Sequence, residues 1–134
     1  MELSFLKQLN PAQRIAVEET EGPVLILAGA GSGKTRVLTN KVAYLILQKK
    51  IPAQNILMVT FTNKAAGEMK SRISHLLEID NGSLTSSSTS HLPFAGTFHS
   101  FCAKLLRLEG TLLGFNPNFL IYDEIDKKDA IKYI

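Results

Sequence analysis

The stretch "LILAGAGSGKTRV", residues 25–37, constrains the fold of this chain more than any other segment. An apolar run, Val24–Leu27, leads into a glycine-rich loop, after which Leu38, Val42 and Leu45 recur at helical spacing. A short continuous apolar run of this kind is typical of a strand that is buried on both faces. The sequence therefore predicts a strand, a loop and a helix in direct succession.

A glycine-rich loop at this junction suits a phosphate ligand. The start of a helix presents unpaired amides and the positive end of the helix dipole. Gly29, Gly31 and Gly33 carry no side chain, so the backbone can approach a phosphate closely. Lys34 is then placed to reach the β and γ phosphates of a nucleotide, and the Thr35 hydroxyl to bind Mg²⁺. These features define a Walker A motif.

The predicted nucleotide site takes in the whole loop, with Ala28 standing where the strict motif has glycine. Its members are Ala28, Gly29, Ala30, Gly31, Ser32, Gly33, Lys34 and Thr35. Lys34 and Thr35 are also the predicted catalytic residues, and Thr35 is the predicted metal ligand. The alternative is a glycine-rich turn with a chance lysine, which the flanking strand and helix patterns disfavour.

Strand and helix patterns alternate along the rest of the chain. Asn10 and Pro11 predict a helix start. The Asn10 side chain can accept from the unpaired N–H groups of the first helical turn, and the N–H that Pro11 lacks would have no partner at that position. Gly22 and Pro23 are predicted to end that helix. Further strands are predicted at Ile56–Phe61, Phe94–Phe98 and Phe119–Tyr122, with helices from about Asn63 and after Phe98. This alternation predicts an α/β fold with a parallel sheet.

Two segments depart from the alternation. Residues 80–93, "DNGSLTSSSTSHLP", are rich in serine and threonine and lack periodicity, which predicts a flexible surface loop. The last residues, "DEIDKKDAIKYI", have helical spacing but stop at Ile134 without a capping glycine or a polar tail. We therefore expect the chain to be truncated.

Composition excludes several classes of protein. The N-terminus does not have the pattern of a secretory signal, and no apolar run reaches the about eighteen residues of a membrane span, so we expect a cytoplasmic protein. Cys102 is the only cysteine, which rules out an internal disulfide, and we expect it to be a buried small apolar residue. The net charge of +3 is compatible with a polyanionic partner without indicating one.

Four stretches in order identify a wider resemblance. They are "LNPAQRIAV" at 9–17, "AGAGSGKTRVL" at 28–38, "LMVTFTNKAAGEMKSRI" at 57–73 and "GTFHSFCAKLLR" at 96–107. Together they resemble the UvrD/Rep family of superfamily 1 DNA helicases, and the resemblance extends from Leu9 to about Asp126. It implies that residues 1–134 are the N-terminal part of the first RecA-like motor domain, a P-loop NTPase sheet with helices on both faces, in an ATP-dependent 3′–5′ DNA helicase.

The resemblance also implies roles for individual residues. Gln13 matches the glutamine that reads adenine, and a primary amide can pair bidentately with the N6 and N7 atoms of that base. Arg36 matches a residue near the base, where a guanidinium could stack. Single-stranded DNA contacts are implied for Phe61, Thr62, Asn63, Thr97 and His99. Phe61 is the candidate stacking platform, with a core aromatic as the alternative, and Asn63 is also a candidate helix cap.

The acidic segment "YDEID", residues 122–126, superficially matches a Walker B motif. In proteins that resemble this one, a similar segment precedes an inserted helical subdomain, and the Walker B motif lies much farther along. We therefore assign Asp123 and Glu124 to a strand end and a helix start, so that the chain ends before Walker B. The resemblance then implies a fragment that binds ATP and Mg²⁺ but is inactive by itself.

The implied partners are single-stranded DNA, junctions between single and double strands, and the missing second RecA-like domain. Three other interpretations stay open. A helicase-nuclease subunit of the AddA/RecB type shares these motifs. A different P-loop phosphotransferase would share the loop alone. A stand-alone nucleic-acid-binding module would bind ATP without hydrolysing it.

Overall fold

A computed structural model of the protein describes residues 3–81, 92–121, 128–129 and 131–132. The chain divides into two compact units, Met1–Thr97 and Phe98–Ile134. The main elements are α1 (Pro11–Glu18), α2 (Lys34–Leu47), β1 (Leu57–Thr60), α3 (Asn63–Asn81), β2 (Phe94–Thr97) and α4 (Phe98–Glu109). Short 3₁₀ helices cover Ser4–Gln8, Ala53–Asn55 and Gly110–Leu113.

Helix α1 begins as the sequence predicts. The Asn10 side chain accepts a hydrogen bond from the Gln13 main-chain N–H at 2.8 Å, and the Gln13 side chain accepts one from the Asn10 N–H at 3.2 Å. This reciprocal pair is a capping box, and Pro11 follows it where a missing N–H costs nothing. The helix ends at Glu18, several residues before the predicted stop at Gly22 and Pro23.

Strands β1 and β2 form a parallel pair joined through α3. Leu57 lies opposite Phe94 at one end of the pair, and Thr60 lies opposite Thr97 at the other. Two strand predictions, Ile56–Phe61 and Phe94–Phe98, are thereby confirmed apart from their terminal residues. Because the strands are parallel, their carboxyl ends share one edge of the sheet. That edge carries the residues that follow Thr60 and the side chain of Thr97.

The core of the first unit lies between the helices and this sheet. Its buried members are Phe5, Leu6, Val17, Val37, Val42, Ala43, Leu47, Met58, Met69, Ile73, Leu77 and Ala95. Two buried polar residues of α2 accompany them: the Thr39 hydroxyl donates to the Thr35 carbonyl at 3.0 Å, and the Asn40 amide to the Arg36 carbonyl at 2.7 Å. Each of these buried side chains therefore has a hydrogen-bond partner within its own helix.

The predicted first strand, Val24–Leu27, is not a strand in the structure. Leu25 and Leu27 are 83% and 86% exposed, whereas a doubly buried strand would cover both. A strand requires a neighbour for its N–H and C=O groups, and in the described residues β1 pairs with β2 alone. The fourth predicted strand also fails at Phe119–Ile121, which has no regular structure. Tyr122 lies outside the described residues. The described part of the chain thus combines helices with a two-stranded parallel sheet, which is compatible with a truncated α/β fold.

In the second unit, α4 runs into a tight turn. Gly114 has φ +83°, a left-handed conformation that favours glycine, and the Phe115 N–H donates to the Gly110 carbonyl at 2.9 Å. Arg107 stacks over the Phe119 ring at 5.3 Å from its centroid. The sequence expectation for Cys102 is wrong, because this side chain is exposed and the neighbouring Ala103 is the buried residue of α4. A helix at a protein surface covers only part of its circumference, and in α4 the covered part includes Ala103 and not Cys102.

Some predictions fall partly outside the described residues. The predicted loop 80–93 overlaps α3, which continues through Asn81, and residues 82–91 lie outside the described part of the chain. The same holds for Asp123 and Glu124. Within the described ranges, no helix combines the length and apolar character that crossing a membrane requires.

Gly67 provides a test of the assignment of α3. It is exposed within the helix, and a Cβ atom built on it would meet no atom within 4 Å. Alanine is favoured over glycine in a helix interior by ~1 kcal/mol. Gly67→Ala should therefore raise the thermal midpoint by a few degrees in circular dichroism.

Gly114→Ala is the matched control, because an L side chain is strained at its positive φ. We expect this variant to lower the midpoint. A Gly67→Ala protein that is no more stable than the parent chain would contradict the helical environment assigned to Gly67.

Candidate functional site

The glycine-rich loop ends at the start of α2, as the sequence predicts. Gly33 is the N-cap residue, with φ +88° and ψ +24°, and Gly31 has φ +73°. Both conformations are left-handed and favour glycine over residues with a Cβ atom. Because Gly33 has no side chain, it cannot cap the first turn of α2. The amides at the start of this helix are thus suited to an anion.

Carbonyl groups of the loop accept hydrogen bonds from Ser32 of the same loop and from Lys34 directly after it. The Ser32 hydroxyl donates to the Gly29 carbonyl at 2.6 Å, and the Ser32 N–H donates to the same oxygen at 3.3 Å. The Lys34 ammonium donates to the Gly29 carbonyl at 2.7 Å and to the Ala28 carbonyl at 2.9 Å. An ammonium group has three donors, so two are engaged with the loop. A phosphate oxygen would compete with these carbonyls for Lys34.

Thr35 follows Lys34 in the first turn of α2 and is exposed. The structure therefore brings the two predicted catalytic residues to the same helix start. Ala28 is half-buried, Ala30 is exposed, and both belong to the same loop. A pocket of about 180 Å³ opens beside Lys34 and is lined otherwise by Val24, Ile26 and Leu38. Its apolar walls come from the unpaired segment 24–27 and one face of α2.

Gln13 lies against this loop. Its side-chain amide donates to the Ser32 carbonyl at 3.1 Å, while its amide oxygen accepts from Asn10 in the capping box. A Cβ atom built on Gly33 would lie 2.9 Å from the Gln13 amide nitrogen. The residue predicted to read adenine is thus in direct contact with the glycine-rich loop.

Arg36 and Lys41 are engaged with the segment that precedes the loop. The Arg36 guanidinium donates to the main-chain carbonyl of Gln8 at 2.9 Å and to its side-chain oxygen at 3.3 Å. The Lys41 ammonium donates to the Ala16 carbonyl at 3.0 Å and to the Glu19 carbonyl. Burial lowers the pKa of Lys41, and the nearby Glu19 carboxylate partly opposes that shift.

Sequence reasoning did not find these two roles. The available signal was that the last turn of α1 contains no basic residue of its own. Helix C-terminal carbonyls are stabilised by a nearby cation, so a cation from another element was to be expected. Lys41 of α2 fills that position.

The predicted nucleic-acid residues of the first unit lie at the carboxyl edge of the sheet. Phe61 follows β1 and is 95% exposed, so it is not a core aromatic. The Thr62 hydroxyl accepts from the Ala65 N–H at 3.1 Å, which makes Thr62 rather than Asn63 the residue that caps α3. Asn63 is exposed in the first turn of that helix.

The turn around Phe61 is fixed by Thr60. Its hydroxyl accepts from the Thr62 N–H at 3.1 Å and donates to the Thr62 carbonyl at 2.8 Å. Thr97 ends β2 in register with Thr60, so it shares the edge with Phe61 and Thr62. His99 is exposed in the first turn of α4, in the second unit. Among the described residues, no group of three metal-ligating side chains is present.

A comparison with protein families matches residues 9–134 to the UvrD/REP helicase N-terminal domain. The chain belongs to this family. Its curated relatives include the ATP-dependent DNA helicase PcrA of Staphylococcus epidermidis, 46% identical, and a probable DNA helicase II homolog of Mycoplasma capricolum, 50% identical, each over 129 residues. Each alignment covers 96% of this chain and 16% or 17% of the relative. This UvrD/REP helicase N-terminal domain therefore spans about a sixth of the length of those relatives.

The contact between α1 and α2 through Lys41 can be tested by Lys41→Met. This change keeps most of the side-chain volume but removes the donor to the Ala16 and Glu19 carbonyls. Since these carbonyls are partly solvated, we expect a loss of about 1 kcal/mol in the free energy of unfolding, measured with urea. Lys49→Met, at an exposed position after α2, should change it by less than about 0.5 kcal/mol. Equal effects of the two variants would contradict the assigned role.

Proposed function

We propose that this chain is the ATP-binding and single-stranded-DNA-binding part of an ATP-dependent 3′–5′ DNA helicase. In the complete protein, ATP hydrolysis would drive translocation along DNA and unwinding of the duplex. Membership of the UvrD/REP family gives the proposal its class. The observation that carries it is the left-handed glycine loop at the uncapped start of α2, with Lys34 and Thr35 in the first helical turn.

The nucleotide is proposed to be ATP with Mg²⁺. Loop amides and the α2 dipole would receive the phosphates, Lys34 would neutralise their charge, and the Thr35 hydroxyl would hold the metal ion. Gln13 donates to the Ser32 carbonyl of the loop at 3.1 Å, and this contact supports a role for its amide in binding the base. Arg36, held by Gln8, is the weaker candidate for a contact with the base because its guanidinium is already engaged.

The DNA strand is proposed to follow the carboxyl edge of β1 and β2. Phe61 supports this because an aromatic ring that is 95% exposed gains nothing from the protein core. A base stacked on such a ring contributes ~1–3 kcal/mol whatever its sequence. Thr62, Asn63 and Thr97 would donate to phosphates along the same edge. His99, in the second unit, is proposed as a separate contact with DNA. In the alternative interpretation, a P-loop phosphotransferase acting on small molecules, the exposed Phe61 ring would have no assigned role.

The site is proposed to be completed by further protein. Leu25 and Leu27 are exposed in a segment with strand composition, and the relatives are about six times as long as this chain. We propose that residues 1–134 form the N-terminal part of a UvrD-like ATP-binding domain whose remaining strands would cover segment 24–27. A second RecA-like domain would supply the other wall of the DNA groove. Hydrolysis would need both, so the isolated chain should bind ATP without turning it over.

Replacing the loop lysine tests the nucleotide half of the proposal. Lys34→Ala removes a charge-assisted contact to phosphate but touches no part of the base or ribose. We expect it to weaken ATP binding roughly 10- to 100-fold and to leave adenosine binding within about twofold, measured by calorimetry. Lys49→Ala serves as the control for loss of one positive charge. Equal losses for ATP and adenosine would contradict phosphate binding by the loop.

Replacing the exposed aromatic ring tests the DNA half. Phe61→Ala should weaken binding of any single-stranded oligonucleotide by roughly 5- to 100-fold, because stacking is independent of sequence. The slope of log affinity against log salt should stay unchanged, because stacking releases no counterions. Fluorescence anisotropy at several salt concentrations measures both quantities.

Phe115→Ala is the matched control, because Phe115 is a half-exposed aromatic outside the predicted contact residues. We expect it to leave DNA affinity unchanged. Circular dichroism should show that Phe61→Ala folds like the parent chain, since its ring is exposed. Unchanged DNA affinity in folded Phe61→Ala protein would exclude Phe61 as a stacking platform.

A further inference from the structure

The Gln13 side chain connects the start of α1 with the glycine-rich loop, which are far apart along the sequence. Its amide oxygen accepts from the Asn10 N–H at 3.2 Å, at the start of α1. Its amide nitrogen donates to the Ser32 carbonyl at 3.1 Å, inside the phosphate-binding loop. Ser32 and Lys34 bond other loop carbonyls from within the loop, whereas Gln13 reaches it from another helix.

The Ser32 carbonyl determines the direction of a loop amide. The carbonyl of Ser32 and the N–H of Gly33 belong to one peptide group, which is planar and trans. In a trans peptide these two bonds point in opposite directions. While Gln13 holds the carbonyl on its own side, the Gly33 N–H must point away from Gln13. Among the described residues, that N–H has no hydrogen-bond partner within the protein.

Gly33 itself is adapted to this contact. Its φ of +88° favours glycine, and any Cβ atom would lie 2.9 Å from the Gln13 amide nitrogen. The left-handed backbone conformation favours glycine here, whereas a Cβ atom at this position would displace the flexible end of the Gln13 side chain. The Gln13 amide nitrogen therefore lies close to Gly33, the residue whose N–H belongs to the same peptide group as the Ser32 carbonyl.

We propose that Gln13 is a positioning residue for phosphate binding, which turns the Ser32–Gly33 peptide so that the Gly33 N–H donates to a phosphate oxygen whatever base the nucleotide carries. This inference rests on the proposed nucleotide-binding function. It is distinct from the reading of adenine, which concerns the base alone. A primary amide has a second lone pair and a second N–H, so both roles are compatible in one side chain.

The test separates the loop contact from the helix cap. Gln13→Met keeps the length of the side chain but loses both hydrogen bonds. Asn10→Ala is the matched control, because it removes the side-chain acceptor of the capping box and leaves the bond between Gln13 and Ser32 in place. Binding of inorganic tripolyphosphate, ATP and GTP, each with Mg²⁺, is measured by calorimetry on the 134-residue chain.

We expect Gln13→Met to weaken tripolyphosphate binding roughly 2- to 10-fold, the equivalent of one hydrogen bond, and to weaken GTP binding by the same factor. Asn10→Ala should leave both within about twofold. Unchanged tripolyphosphate affinity in Gln13→Met, with a loss confined to ATP, would overturn the inference in favour of base reading alone. Equal losses in the two variants would also overturn it, because the helix cap would then account for the effect.

A second measurement needs no ligand. In the ligand-free chain, the amide resonance of Gly33 should shift in Gln13→Met and stay in place in Asn10→Ala, measured by ¹H–¹⁵N nuclear magnetic resonance. An unmoved Gly33 resonance in folded Gln13→Met would overturn the positioning role. If the parent chain bound neither ATP nor tripolyphosphate, the proposed function would fail, and the Gly33 resonance alone would decide whether Gln13 orients the loop.

Discussion

The first unit depends on how the carbonyl groups of the glycine-rich loop, residues 28–33, find hydrogen-bond donors. When the N–H groups of a loop point toward a ligand, its carbonyl groups point away from that ligand. These carbonyls then need hydrogen-bond donors from the protein or from water. The Ser32 hydroxyl donates to the Gly29 carbonyl, and the Lys34 ammonium donates to the Ala28 and Gly29 carbonyls. The Gln13 amide of α1 donates to the Ser32 carbonyl. These bonds satisfy the carbonyls of Ala28, Gly29 and Ser32 within the first unit, and they use two of the three donors of the Lys34 ammonium.

Hydrogen bonds from side chains to main-chain carbonyls also connect the N-terminal segment, residues 8–19, to α2. Arg36 donates to the carbonyl of Gln8 at the end of the first 3₁₀ helix, and Lys41 donates to carbonyls at the end of α1. Together with Gln13, these side chains connect residues 8–19 to the loop helix at successive points along its length. The N-terminal segment consequently packs against the glycine-rich loop and α2 rather than forming a separate extension of the chain.

Locally determined features could be predicted from the sequence, and features that depend on distant partners could not. Asn10 and Pro11 start a helix because cap and proline act within one turn. The starts of α2 and α3 and the two paired strands were predicted for similar reasons. The prediction of a strand at residues 24–27 failed because a strand must pair with a neighbouring strand, which the described residues do not supply. The prediction that Cys102 is buried failed because it rested on the residue type, which does not determine which face of α4 is covered.

Within the candidate site, spacing identified the loop, but its hydrogen-bond partners required coordinates. The sequence placed Lys34 and Thr35 at a helix start, and the structure confirms that position. Nothing in the sequence showed that Gln13 would bond Ser32 or that Arg36 would bond Gln8, because each pair lies far apart along the chain. The exposure of Phe61 likewise follows from the turn that Thr60 stabilises, which apolar patterning alone does not reveal.

The central claim is that the uncapped start of α2 and its loop form the phosphate site. A titration of the ¹⁵N-labelled chain with Mg²⁺ and ATP, followed by nuclear magnetic resonance, tests it most directly. The account predicts saturable shifts that are largest for the amides of residues 29–36, with smaller shifts at the start of α1. Largest shifts elsewhere in the chain, or no saturable shift at any loop amide, would contradict it.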